Sequence, residues 1–215
     1  MFETVRSRAC ESADRSFFGM VGADGSWTLD FDAVTTALKS TIGNRQSAML
    51  LGTAFSFVHL LDFFAEHNLR FQFPPGSRVM ETGGYKSRSR TMPKEELHAL
   101  ITERLGIPAE NIISEYGMSE LSSQAYDSAI HPPSSILHPR IFRFPSWARV
   151  RIISPETGRE VADGETGLIR VFELANVFSV MAVQTEDLGV RRGDGFELIG
   201  RAQFAEPRGC SLMSA

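Results

Sequence analysis

Cysteine is nearly missing from this chain: its 215 residues include only Cys10 and Cys210, 200 positions apart. That separation excludes the close cysteine pairs of metal sites and suits a reducing cytoplasm. Histidine is sparse as well. Five of them, without a His-x-x-His or His-Glu-x-x-His arrangement, argue against a histidine-ligated metal. Long apolar runs are lacking, each being broken well before the roughly 18 residues that a membrane span requires. The opening stretch, "MFETVRSRACESADRS", has no apolar centre of the kind that marks a secretory signal. Positive charge is not in excess either, since a formal net charge of −4 leaves no basic footprint for nucleic acid or anionic lipid. Repeats, low-complexity tracts and long linkers are also missing. What remains is globular in composition, with 42% hydrophobic residues, enough for a core in one large domain or two small ones.

The first part of the chain alternates strand-like and helix-like stretches, as α/β layers do. "SAMLLGTAF" opens with a short apolar run and turns at Gly52, and "SFVHLLDFFAEHN" is apolar almost all round, which predicts a buried helix. "SRVMETGG" predicts a strand that ends in a glycine pair. "TMPKEELHALITERLG" carries helix signals: a proline at the start, acids in the first turn, Leu97, Leu100, Ile101 and Leu105 on one face, and Gly106 as the stop. "NIISEYG" is the next strand. The loop at Gly83 and Gly84 and the loop from Tyr116 to Glu120 therefore both follow strands, where open α/β sheets bind their ligands. After about Pro145 the texture changes to short alternating strands separated by "PETG" and "DGETG" turns, an antiparallel pattern. The expected organisation is a sheet lobe with helices over residues 1–145 and an antiparallel β lobe with a C-terminal tail over 146–215, together one unit.

The stretch "NIISEYGMSELSSQ", residues 111–124, sets Tyr116, Gly117, Ser119 and Glu120 together after an apolar strand. The residues alone leave two readings open. One is a polar turn; the other is a nucleotide platform whose ring stacks on a base and whose carboxylate holds a metal near phosphates. With "QTEDLG" and "GFELIGRA" following in order, the chain resembles the adenylate-forming superfamily in its aromatic-Gly-x-Ser/Thr-Glu, Thr-Gly-Asp and Gly-Arg motifs. Within it, the chain is most similar to the acyl-protein synthetase family of LuxE type. "METGGYKSRSR", "EYGMSELSSQ", "GLIRVFELAN", "TEDLG" and "RGCSL" carry that resemblance, which runs from about Leu50 onward.

The resemblance implies a fold, a reaction and residue roles. The fold would be the distal part of an adenylate-forming large domain, a parallel sheet with helices followed by an antiparallel β lobe. The reaction would join a fatty or other carboxylic acid to ATP as an acyl-adenylate, then pass the acyl group to a protein thiol for an acyl reductase. Tyr116 would stack on adenine, with Gly83, Gly84, Gly117 and Met118 close to the nucleotide. Ser119 would contact phosphate, Glu120 would act in catalysis by holding Mg²⁺ near the ATP phosphates, Asp187 would accept the ribose hydroxyls, and Arg201 would contact ribose or phosphate. Cys210 would be the acyl acceptor, because a thiolate captures an acyl-adenylate as a thioester.

Each residue also has a plainer expectation. Tyr116 alone reads as an edge aromatic, Glu120 as a first-turn helix acid, Asp187 as a turn carboxylate, Arg201 as a surface ion pair and Cys210 as a small buried hydrophobe. Lys86, Arg88 and Arg90 are expected in a solvated basic loop, His59 as a core histidine, and the phenylalanines from Phe55 to Phe64 as core. Two departures from the superfamily stand out. No Ser/Thr/Gly-rich phosphate loop occurs between Met1 and Leu50, so N-terminal truncation is expected, and the family's Thr-Gly-Asp reads Thr185-Glu186-Asp187. The alternatives to an acyl-protein synthetase are a phenylacetate or coenzyme type of adenylate-forming ligase, and a half-domain that is inactive or dependent on a partner.

Overall fold

Polar residues ahead of apolar runs decide where two of the described helices begin. The computed structural model describes residues 16–22, 27–85, 89–127 and 140–202. Strands β1 (Gly19–Val21) and β2 (Trp27–Leu29) pair antiparallel, and the Asp30 carboxylate then accepts the Ala33 N–H at 2.9 Å to start helix α1 (Phe31–Gly43). Strand β3 (Met49–Thr53) runs one residue past Gly52, because Thr53 both ends the strand and caps helix α2 (Ala54–Glu66) through its hydroxyl. Helix α3 (Lys94–Leu105) stops where expected, at a left-handed Gly106 with φ of 66°. It buries Leu97, Ile101 and Leu105 as predicted, but His98 beside them rather than Leu100. His59, expected in the core, is exposed on α2, since the helical period puts it between buried Val58 and Leu60 and away from their face.

Among the described residues one nine-stranded sheet carries the rest, in the order β3-β4-β5-β6-β7-β11-β10-β9-β8. β3, β4 (Arg78–Thr82) and β5 (Ile112–Tyr116) are parallel, and all other neighbours, β6 (Ala125–Asp127), β7 (Ile141–Arg143), β8 (Ala148–Ile153), β9 (Thr166–Glu173), β10 (Ala182–Arg192) and β11 (Gly195–Arg201), are antiparallel. Antiparallel pairing thus begins at β6, ahead of the change of texture at residue 146. β6 and β7 have three residues each, too few to display a period of two.

Two apolar clusters flank this change of pairing. Phe57, Phe64, Leu97, Ile101 and Ile112 belong to the one packed by the helices, while Tyr116, Phe142, Ile169, Val171 and Phe196 belong to the other. Each fully buried side chain of this size contributes roughly 1.5–3 kcal/mol.

Candidate functional site

The carboxyl ends of β4 and β5 lie side by side, with Thr82 opposite Glu115 in register and the Thr82 hydroxyl donating to the Glu115 carboxylate. Beyond β4, Gly83 takes a φ of 70°, a conformation that favours glycine, and both Gly83 and Gly84 are exposed. Beyond β5, a Cβ on Gly117 would stand 2.5 Å from Glu115 Oε1 and 3.0 Å from Gln124 Cγ, so those two side chains would have to shift to admit it.

Tertiary folding joins three of the expected residues here. The Tyr116 hydroxyl donates to Asp187 Oδ2 at 2.9 Å, and Asp187 lies opposite Arg201 where β10 pairs with β11. A break in register aims the carboxylate. Between Gln184 and Leu188 β10 carries three residues, Thr185, Glu186 and Asp187, where β9 supplies only Ile169 between the partners Arg170 and Leu168. Thr185 Oγ1 donates to the Ile169 carbonyl at 2.8 Å and accepts the Asp187 N–H at 3.1 Å, so the polar groups freed by the bulge are paired. The Thr-Glu-Asp motif is thus the bulge itself. Arg201 pairs with Glu186 at 2.7 Å.

Tyr116 is 6% exposed, with Phe142, Phe144 and Phe196 packed edge-on around its ring at centroid distances of 6.3, 6.4 and 5.2 Å. Burial pushes its hydroxyl well above the usual tyrosine range, and the Asp187 charge adds to the shift. A ring so enclosed offers no whole face to a base.

Ser119 and Glu120 are exposed in the loop after Gly117, and the Ser119 hydroxyl donates to Glu120 Oε2 at 3.2 Å. Two residues not singled out in the sequence hold this loop. Fully buried Glu173 accepts the Ser122 N–H at 2.9 Å and the Ser123 hydroxyl, while Asn176 donates to the Glu120 carbonyl at 3.0 Å. The signal was a Glu and an Asn closing the alternating strand in "GLIRVFELAN". Among the described residues no group of three His, Cys, Asp or Glu could hold a metal. Glu120 by itself fits Mg²⁺ all the same, because that ion is bound through one or two carboxylates together with substrate phosphates.

Behind the strand ends lies a second polar group that was not read from the sequence. Glu81 on β4 is fully buried; Lys94 Nζ donates to its Oε1 at 2.6 Å and Ser114 Oγ does so at 2.5 Å, with His98 Nε2 3.5 Å away. Arg140 stands 3.2 Å from His98 Nδ1 and pairs with buried Asp127. Since a guanidinium only donates, Nδ1 accepts and the imidazole proton sits on Nε2, facing Glu81. Burial alone would raise the Glu81 carboxyl, but His98, the Lys94 charge, and bonds from Lys94 and Ser114 outweigh it and hold the group below its usual value. The only hint in sequence was an acid inside the strand of "RVMETGG".

Arg90 pairs with Asp62 at 2.9 Å on the surface, in keeping with the basic-loop expectation, whereas Lys86, Arg88, Cys10 and Cys210 lie outside the described residues. A groove of about 720 Å³ lined by Arg45, Gln72, Phe73, Ser77 and Asn111 opens at the opposite, amino ends of β4 and β5. Ligands of open α/β sheets are not expected at that end.

Comparison with known proteins gives a consistent result. The family model described as acyl-protein synthetase, LuxE, matches residues 11–215. The long-chain-fatty-acid–luciferin-component ligase of Aliivibrio fischeri is 23% identical over an alignment of 199 residues that covers 87% of this chain and 50% of that protein. Its namesake from Vibrio harveyi is 20% identical over 193 residues, covering 86% and 49%. The chain therefore spans about half the length of these curated relatives. Among solved structures, McyG A-PCP complexed with phenylalanyl-adenylate superposes with a TM-score of 0.56 at 14% identity, covering 80% of this chain and 33% of that one. The long-chain-fatty-acid-CoA ligase FadD1 from Archaeoglobus fulgidus gives 0.51 at 15% identity, with 79% and 37% covered. The fold is that of part of an adenylate-forming domain.

Proposed function

The chain belongs to the acyl-protein synthetase family of LuxE type, and from that premise we propose that it serves the activation of a carboxylic acid, of the long-chain fatty class, by adenylation. A carboxylate oxygen attacks the α-phosphorus of ATP, the bond to the bridging oxygen breaks, and pyrophosphate leaves with the electron pair. A thiol sulfur then attacks the acyl carbonyl, loses its proton to solvent, and expels AMP. Cys210 is proposed as that thiol, and an acyl reductase as the consumer of the thioester. The division at residues 145 and 146, a reducing cytoplasm and use of ATP with Mg²⁺ belong to the same proposal.

The observation that carries this reading is the meeting of Tyr116, Asp187 and Arg201 beside the carboxyl ends of β4 and β5. Asp187 has one oxygen engaged by Tyr116 and a second that can accept from ribose, and the exposed glycines Gly83, Gly84 and Gly117 leave the backbone open to close approach. Glu120 and Ser119 would face the phosphates, with Arg201 toward ribose or phosphate. Bound Mg²⁺ would supply charge neutralisation at the phosphate oxygens.

Calorimetric titration with MgATP tests the site. Wild-type protein should bind at about millimolar strength, near −4 kcal/mol. The Tyr116→Ala, Asp187→Ala double variant should lose that binding, and unchanged affinity in it would remove the assignment.

A further inference from the structure

Glu173, the last residue of β9, and Asn176, three residues beyond it, are buried polar side chains, 0% and 8% exposed, that nucleotide binding does not itself require. Both reach the stretch that follows β5. Glu173 accepts the Ser122 N–H at 2.9 Å and the Ser123 hydroxyl. Asn176 accepts the Ser122 hydroxyl at 2.5 Å through Oδ1, and through Nδ2 donates to the Glu120 carbonyl at 3.0 Å and to the Val180 carbonyl at 3.2 Å. Trp147 Nε1 donates to the Ser123 hydroxyl at 2.8 Å from the other side.

The stretch held in this way has no ladder of its own. Residues 117–124 lie between β5 and β6 in neither helix nor strand, and the Leu121 N–H closes a turn on the Met118 carbonyl at 3.2 Å. Side-chain anchors therefore set its path. Stability does not explain the anchors. Glu173 is a buried carboxylate that no cation pairs with among the described residues, and an apolar residue would fill its place at lower desolvation cost. What the carboxylate and the amide add is one defined geometry for the turn that displays Ser119 and Glu120.

We propose that Glu173 and Asn176 are positioning residues, which fix the turn over 119–123 so that the Glu120 carboxylate and Ser119 hydroxyl face the phosphates of bound nucleotide. The proposal rests on the phosphate and Mg²⁺ role given to Ser119 and Glu120 under Proposed function. It separates phosphate contacts from base and ribose contacts. Loss of the clamp should weaken MgATP, which needs the turn, and spare AMP, which depends on Tyr116 and Asp187.

The test combines calorimetry of the full chain with MgATP and with AMP, hydrogen exchange over residues 117–124, and thermal unfolding. Asn176→Ala should weaken MgATP about tenfold, a difference of roughly 1.4 kcal/mol, while AMP affinity stays within about twofold. Exchange over 117–124 should quicken in the same variant by more than in the rest of the described chain. Asn176→Asp still accepts from Ser122 but cannot donate to the Glu120 carbonyl, so it should behave like Asn176→Ala. If Asn176→Ala does not fold, Ser122→Ala, which removes only the hydroxyl that Asn176 receives, carries the same expectation. Equal losses for MgATP and AMP overturn the positioning role, as does unchanged MgATP affinity in the Asn176 variants when Glu120→Gln weakens it. Wild-type protein that binds no MgATP, or that is indifferent to Glu120→Gln, overturns the underlying reading and the proposal with it.

Discussion

Replacing Lys94 by methionine keeps the apolar stem and deletes the ammonium that stands 2.6 Å from Glu81 Oε1. Glu81 is then a fully buried carboxylate left with the Ser114 hydroxyl at 2.5 Å and the His98 ring at 3.5 Å. Removing one partner of a buried pair costs about 3–5 kcal/mol. The Lys94 side chain is 28% exposed and Ser114 remains, so the low end applies, about 3 kcal/mol near pH 8. For a chain of this size that is a fall in Tm of roughly 6–12 °C.

The sign with pH follows from linkage. In the wild-type protein Glu81 is held below its unfolded value, so its contribution is present above the unfolded pKa and is lost as pH falls through the folded one. In Lys94→Met the charge and hydrogen bond of the ammonium no longer oppose burial, so the folded value rises relative to that of the wild type. The penalty relative to wild type should therefore be largest at the higher pH and shrink as pH falls toward 5. Urea unfolding of wild type, Lys94→Met, Glu81→Gln and the double variant at both pH values measures this. At the higher pH Glu81→Gln should destabilise the wild type yet stabilise Lys94→Met. A penalty independent of pH, or a Glu81→Gln effect of the same sign in both backgrounds, refutes the reasoning.

Gly117→Ala should cost less than about 1 kcal/mol in urea unfolding, because the atoms a Cβ would meet belong to the flexible side chains of Glu115 and Gln124, yet MgATP affinity by calorimetry should drop about fivefold. β3 ends the sheet with Met49 and Leu51 55% and 48% exposed, so concentration-dependent association is expected in size-exclusion chromatography, and Leu51→Lys should reduce it. With labelled fatty acid and ATP, supplemented with a phosphate-loop segment where needed, hydroxylamine-sensitive label should vanish in Cys210→Ser and persist in Cys10→Ser; equal labelling of both variants would exclude the acceptor role.

Much of this was legible locally. Helix α3 announced its ends by acids in the first turn and by Gly106, and β3, β4 and β5 showed as short apolar runs between turns, because capping and burial on one face are written in neighbouring residues. The motif order Tyr116, Asp187, Arg201 was equally plain, and it led to the family. The outward turn of His59 and the early antiparallel start at β6 were not, since the first depends on which side of an almost wholly apolar helix meets the core and the second on strands only three residues long.

Sequence by itself therefore determined the α/β class, the antiparallel end and the family. Tertiary structure alone decided that the Thr185–Asp187 stretch is a bulge that aims Asp187 at the Tyr116 hydroxyl, that the Tyr116 ring is enclosed by three phenylalanines, and that Glu173 and Asn176 grip the turn carrying Glu120. It also decided that Lys94 and Arg140, both partly exposed, join buried Glu81, His98 and Asp127 in one polar group. The physical reason is the same for all of these. Caps, turns and periodicity are interactions between near neighbours, whereas a buried carboxylate is satisfied by whatever donor the folded sheet brings to it, and that donor can be anywhere in the chain.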